Sequence, residues 1–187
     1  MQDAEVSYCE HFFTPEQSDA YYQQLLNGIN WKQERITFYG KEMDLPRLTA
    51  WYGDVGKSYT YSGIRVEPDA WTPTLLEIKQ AVEKEAGVTF NSVLLNQYRH
   101  GQDGVAWHAD DEPELGLNPV IASVSFGEPR SFHLKHKENP ELKQKIILQH
   151  GSLLIMGGRT QHCWLHQVPK STRPMSPRIN LTFRAIR

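Results

Sequence analysis

Arg178-Ile179-Asn180-Leu181-Thr182-Phe183-Arg184, near the end of the chain, alternates strictly between polar and apolar side chains. A period of two belongs to a β-strand, whose successive side chains point to opposite faces. Ile179, Leu181 and Phe183 then form a core stripe, and Arg178, Asn180, Thr182 and Arg184 share the other face. That second face either meets water, as one face of many antiparallel strands does, or lines a polar cavity. Asn and Thr between two arginines suit a bound dicarboxylate, because the planar guanidinium fork pairs carboxylates bidentately. Leu94-Leu95-Asn96-Gln97-Tyr98 has the same design, with Asn96 and Tyr98 projecting together.

Working outward, short apolar runs bounded by turn residues predict strands at 93–98, 120–126, 131–135, 145–148, 152–156 and 178–184. The N-terminal half reads differently. Thr14 followed by Pro15 and Gln17 is a capping-box start, Tyr21 with Leu25 and Tyr22 with Leu26 pair four apart, and Asn27-Gly28 marks the stop. Thr72-Pro73 opens a second helix with a stripe of Leu75, Ile78 and Val82 and a left-handed stop at Gly87. Between them, a turn at Tyr52–Lys57 runs into the strand-like alternation Ser58-Tyr59-Thr60-Tyr61. Two helices followed by many short strands predict an α+β fold whose β part closes into a sandwich or jelly roll.

Length and composition set bounds. The 187 residues fit one domain with a real core, and 39% hydrophobic with 22% charged residues is ordinary for a globular chain. No apolar run approaches the roughly 20 residues needed to span a bilayer. The acidic start Met1-Gln2-Asp3-Ala4-Glu5 lacks the features of a secretory signal. Cys9 and Cys163 alone make neither a disulfide framework nor a four-thiolate zinc site, which favours a reducing, intracellular compartment. With a formal net charge of −2, any nucleic-acid function needs a local basic surface.

Trp107-His108-Ala109-Asp110 can present an imidazole and a carboxylate to one point, since residues two apart on an extended chain point the same way. Two histidines and one carboxylate with open positions opposite suit non-haem Fe(II). His150, His162 and His166 all compete for the third position. A zinc site of His162, Cys163 and His166 is the alternative, and it leaves His108 and Asp110 without a role.

Together these motifs resemble the AlkB family of nucleic-acid dealkylating dioxygenases. The resemblance rests on Asn96-Gln97-Tyr98, Trp107-His108-Ala109-Asp110-Asp111-Glu112, Ile121-Ala122-Ser123-Val124-Ser125-Phe126-Gly127, His150-Gly151-Ser152-Leu153-Leu154 and Pro177 through Arg184. It covers residues 38–184 and is nearest to the eukaryotic-type members that repair DNA and RNA. It implies a single domain over 1–187, with helices and a nucleotide-recognition lid in 1–89 and a double-stranded β-helix (jelly-roll) catalytic core in 90–187. The family spacing selects His166, so His108, Asp110 and His166 would be the metal ligands and catalytic centre for Fe(II), 2-oxoglutarate and O2. Arg184 is expected to take the far carboxylate of 2-oxoglutarate, helped by Asn96, Tyr98 and Thr182, with Arg178 nearer the metal side.

The same resemblance implies demethylation of bases such as 1-methyladenine and 3-methylcytosine, with formaldehyde, succinate and carbon dioxide released. Tyr59 and Tyr61 would contact the flipped base together with the acidic Asp111 and Glu112. Tyr39-Gly40-Lys41 resembles the hairpin that enters the base stack in duplex-acting relatives, here with a tyrosine in place of an apolar wedge. Residues 138–145 are shorter and less arginine-rich than the segment those relatives use on the complementary strand. Both departures predict a preference for single-stranded DNA or RNA, with Lys135, Lys137, Lys170, Arg173 and Arg187 as the remaining cations. A monomer without membrane attachment is expected, cytoplasmic in a bacterium and nuclear or cytoplasmic in a eukaryote. The rivals are a 2-oxoglutarate-dependent hydroxylase of a protein or small molecule, and a non-enzymatic jelly-roll binding module.

Overall fold

A computed structural model of the protein describes the backbone of residues 1–61 and 64–187, and the side chains of these except at 59–61, 64 and 65. The first half runs β1 (Glu5–Cys9), α1 (Pro15–Gly28), β2 (Arg35–Phe38), β3 (Lys41–Asp44), β4 (Leu48–Gly53), β5 (Tyr59–Tyr61), β6 (Ile64–Val66) and α2 (Pro73–Ala86). The second half runs β7 (Ser92–Tyr98), β8 (Val105–His108), β9 (Ile121–Gly127), β10 (Arg130–His136), β11 (Lys143–Leu148) and β12 (Ser152–Gly157). It ends with α3 (Thr160–Cys163), β13 (Trp164–Val168) and β14 (Arg178–Arg184).

Local chemistry accounts for both long helices. At α1 the Gln17 N–H donates to Thr14 Oγ1 and the Thr14 N–H donates to Gln17 Oε1, each at 3.1 Å, so the capping box closes reciprocally. Thr72 Oγ1 accepts from the Leu75 N–H at the start of α2, and Gly87 ends that helix at φ 68°, where a Cβ is disfavoured. α1 stops at Gly28 as expected, with Gly28 its last helical residue and Ile29 the cap at φ −87°. Ile29 is buried, so the core draws the chain out in an extended conformation and no left-handed glycine is needed.

The strands form a six-stranded sheet, β1-β12-β9-β14-β7-β4, and a four-stranded sheet, β11-β10-β13-β8, all pairs within them antiparallel. Leu25 of α1 and Leu75, Ile78 and Val82 of α2 pack with Val93, Leu95, Val124, Ile179, Leu181 and Phe183 on one face of the larger sheet. A second core of Phe132, Leu134, Leu148, Leu154, Met156, Trp164 and Val168 fills the space between the sheets. This is the sandwiched jelly roll the sequence predicts. The larger sheet also takes β1 and β4 from the segment expected to hold helices and lid.

Burial of both faces changes the meaning of β14. Arg178, Asn180 and Thr182 are all buried, because the helices cover one face and the smaller sheet covers the other. The wet face allowed by the alternation is therefore a polar lining inside the fold. Among the described residues, no helix is long and apolar enough to cross a membrane.

Candidate metal and co-substrate site

β8 and β13 pair so that His108 stands directly opposite His166, with ring centroids 4.3 Å apart. Asp110 lies two residues beyond His108, its Oδ2 3.9 Å from His166 Nε2, and one ligand atom from each of the three falls within 4.8 Å of the others. His108 Nδ1 is 2.8 Å from the Ala106 carbonyl oxygen, which can only accept. The proton therefore sits on Nδ1, and Nε2 keeps its lone pair for a metal. Burial pushes His166 down to about 4, against the opposing pull of Asp110, so its imidazole is neutral at neutral pH.

Asp110 is held from two sides. Burial opposes its charge, but Arg184, His166 and His108 together outweigh burial and hold the carboxyl below its usual range. Arg184 Nη2 donates to Asp110 Oδ1 at 2.8 Å, and the Asp110 N–H donates to Gln161 Oε1 at 2.9 Å. Gln161 is fully buried, and its backbone carbonyl oxygen accepts from Lys137 Nζ at 3.1 Å. Two imidazoles and one carboxylate brought together from adjacent strands fit Fe(II). Losing a group that orients a metal ligand lowers metal affinity about 10- to 100-fold. That is the effect expected for Gln161→Leu in a metal titration, with the far-ultraviolet circular dichroism unchanged.

From this cluster a cavity of about 490 Å³ runs between the sheets, lined by the three ligands together with Asn96, Tyr98, Arg178, Asn180, Thr182 and Arg184. Arg178 is 1% exposed, and its guanidinium lies 5.1 Å from the Tyr98 ring centroid. Its Nη2 donates to Ser125 Oγ at 2.8 Å, whereas Nε and Nη1 have no acceptor. Burial lowers its pKa to about 10. Such a group calls for an anion.

The two arginines lie the other way round from the expectation, with Arg184 at the metal end and only its Nε without a partner. Six residues apart on one strand, they are separated by roughly 20 Å along the backbone. Arg184 is committed to Asp110 at the metal end, so Arg178 is the cation left for a carboxylate at the far end. Asn180 Nδ2 donates to Ser123 Oγ at 2.7 Å and its Oδ1 accepts from Thr182 Oγ1 at 2.9 Å, which fixes the polar face between them. Asn96 Oδ1 accepts from Arg47 Nε at 3.1 Å, a cavity-wall residue that the sequence reading missed.

The competing histidines fall elsewhere. His150 Nδ1 accepts from the Gly127 N–H at 2.8 Å and its Nε2 faces Asp19, tying α1 to the sheet. His162 Nε2 accepts from the Asn118 N–H at 3.4 Å, apart from the cluster. Cys163 falls into a second group with Asp3 and His136. His136 Nδ1 accepts two backbone N–H groups, from Glu138 and Asn139, so its proton is on Nε2 facing Asp3. A hydrogen-bonded corner results, with no imidazole lone pair left for a metal. Of the substrate-side candidates, Glu112 lines the cavity, while Asp111 Oδ2 is 3.4 Å from Lys137 Nζ. Tyr39 (φ 48°) and Gly40 (φ 73°) form the β2–β3 turn, with Tyr39 92% exposed and Lys41 beginning β3. Tyr59 and Tyr61 belong to β5, and their side chains lie outside the described residues.

Residues 5–184 match the model of the 2OG-Fe(II) oxygenase superfamily. DNA oxidative demethylase ALKBH2 of Bos taurus is 38% identical over 195 residues, covering 98% of this chain and 70% of that protein. The chain belongs to the AlkB-homologue family of 2OG-Fe(II) oxygenases. Bos taurus alpha-ketoglutarate-dependent dioxygenase alkB homolog 3 is 45% identical over 190 residues, covering 97% of this chain; the chain spans 66% of that protein's length. The solved structure of OsALKBH1 superposes with a TM-score of 0.66 at 18% identity, covering 96% of this chain and 97% of that one, and shares its fold. In this AlkB homologue the residues that sequence reasoning missed are Gln161, Arg47 and Trp107. Gln161 acts on Asp110 from 51 positions away, and a separation of that kind leaves no local pattern.

Proposed function

We propose that this AlkB homologue removes methyl groups oxidatively from base nitrogens, as in 1-methyladenine and 3-methylcytosine, in single-stranded DNA or RNA. The observation that carries it is one cavity with a His-Asp-His cluster at one end and a buried guanidinium with two unpartnered nitrogens at the other. When bound, iron would let O2 act as the oxidant, with 2-oxoglutarate as the co-substrate oxidised to succinate and carbon dioxide while the methyl group leaves as formaldehyde and frees the repaired base. His108, Asp110 and His166 hold the metal and leave positions open on the cavity side. Arg178, with Tyr98 and Asn96 beside it, takes the far carboxylate of the co-substrate and sets its direction along the cavity. Arg184 keeps Asp110 ionised and aligned.

The name of the relative DNA oxidative demethylase ALKBH2 supports a nucleic-acid substrate, and Glu112 on the cavity wall suits a lesion that carries positive charge. A base inside a duplex is out of reach unless it is flipped, which costs a few kcal/mol of unpairing and unstacking. Between β10 and β11 the turn carries Lys137, Glu138 and Glu141, and Lys137 is engaged by Asp111 and Gln161. Little there can grip a complementary strand, which supports the single-strand preference. Residues 1–89 supply Ile36, Leu45, Pro46 and Arg47 to the cavity wall, as a covering lid would. An intracellular monomer, with 1–187 as one catalytic domain, completes the reading.

The test pairs two signals. Anaerobic protein with Fe(II) and 2-oxoglutarate should give a weak visible charge-transfer band. Admission of air with a 1-methyladenine oligonucleotide should then release formaldehyde, about tenfold faster from the single strand than from its duplex. Equal or faster release from the duplex would sink the strand preference. A band with succinate formed and no formaldehyde would assign the site to another substrate, and no band at any iron loading would favour a binding module.

A further inference from the structure

Alternation on the smaller sheet sends His166, Leu134 and Phe132 inward and leaves the intervening residues outward. On the outward face, Lys135 stands opposite Lys143 and His133 opposite Lys145. Lys135 Nζ lies 4.2 Å from the centroid of the Trp107 ring, which reaches it from β8. These side chains line a groove of about 460 Å³ separate from the catalytic cavity. Trp107 lines both.

The charge on this face is one-sided. No Asp or Glu occupies an outward position on β10, β11 or β13, in a chain whose formal net charge is −2. Among the described residues Lys135, Lys143 and Lys145 make no ion pair, whereas other surface cations such as Arg35 do. Burial and the facing Lys145 push the His133 imidazole below its usual value. Like charges directly opposite one another on a sheet destabilise it. Lysines on the edge strand β11 could serve only to discourage sheet-to-sheet pairing. That role does not account for Lys135 on the interior strand β10, nor for an aromatic plate at the far end.

We propose that this outward face is a phosphate-binding track for a single nucleic-acid strand, with Trp107 as the stacking plate where the track meets the catalytic cavity. The proposal rests on the nucleic-acid substrate argued above and says how that strand is held. A basic groove beside an aromatic face is the combination that single strands require, charge for the backbone and a ring for a base. Lys135, Lys143 and Lys145 supply the charge close to the one place where a flipped base leaves the strand.

The experiment measures binding of the full chain to an unmethylated 20-nucleotide single strand by fluorescence anisotropy across a salt series, without turnover. Each phosphate contact contributes about 0.7 to the slope of log affinity against log salt for single strands. Lys143→Gln/Lys145→Gln should therefore flatten the slope by about 1.4 and weaken binding roughly tenfold near 0.1 M salt. Lys84→Gln, removal of a single exposed charge on α2, should leave both within twofold. In turnover the double variant should raise KM for a methylated 20-mer while its kcat holds. A slope and affinity equal to wild type overturn the track, and so does a double variant that self-associates yet binds normally, which would assign the lysines to edge protection. Wild-type binding with the expected slope but no formaldehyde would overturn the demethylase reading and leave the track standing. Formaldehyde release with an unchanged slope in the double variant would do the reverse.

Discussion

Asp110→Ala is expected to abolish the anaerobic visible band and reduce formaldehyde release by at least ~100- to 1000-fold. Asp110 is 3% exposed and is the only anion among the three ligands. Its removal leaves only the two imidazoles for the metal and strips Arg184 of the carboxylate it meets at 2.8 Å. Truncating one partner of a buried ion pair costs about 3–5 kcal/mol, because the other charge stays uncompensated. At 1.36 kcal/mol per decade that alone reaches several hundredfold. Asp110→Asn keeps the shape and loses the charge, so comparing the two variants separates metal charge balance from packing. Calorimetric titration with metal under anaerobic conditions reads the loss directly. Normal metal affinity in Asp110→Ala would mean the ligand assignment is wrong.

Arg178→Met and Arg184→Met should fail in different ways, although the two residues share one strand face. With Arg178 gone the cavity loses a buried cation that has no anion partner, and KM for 2-oxoglutarate should rise about 30- to 5000-fold, the scale of about 2–5 kcal/mol for a desolvated charge partner. Metal affinity should stay near wild type. Without co-substrate, Arg178 is a buried charge with two unpaired nitrogens, so Arg178→Met should melt at the same temperature as wild type or above it. The rise in melting temperature on adding 2-oxoglutarate should vanish in the same variant. Arg184→Met should instead weaken metal affinity, because Asp110 loses the neighbour that holds it ionised. If Arg184→Met produced the larger KM defect, the far carboxylate would belong to Arg184 after all.

How far the site is legible in sequence depends on the range of each interaction. Thr14 and Gln17, or Thr72 and Leu75, meet three residues apart, and such contacts leave a readable pattern. The strands holding alternating apolar residues are legible for the same reason. β4, Leu48-Thr49-Ala50-Trp51-Tyr52-Gly53, at the sheet edge beside β7, escapes because its sequence and burial lack clean alternation. β13 escapes because its inward positions are Trp164, His166 and Val168, and a histidine turned toward a metal site interrupts an apolar stripe. β1, Glu5-Val6-Ser7-Tyr8-Cys9, does alternate, but at five residues with only Val6 and Tyr8 partly buried it is too short a signal to stand out.

The sequence by itself determined the two capped helices, the alternation of β14, and the residue types of a two-histidine, one-carboxylate centre with an arginine face. The family spacing already pointed to His166, and tertiary structure supplies the physical reason by pairing β13 with β8 so that His166 stands across from His108. It also decided that the polar face of β14 is buried, that Arg184 belongs to Asp110 while Arg178 waits for an anion, and that Trp107, Lys135, Lys143 and Lys145 share one outward face. The physical reason is the same in each case. A strand's period says which side chains share a face, but the identity of whatever lies opposite is set by pairing partners tens of residues away.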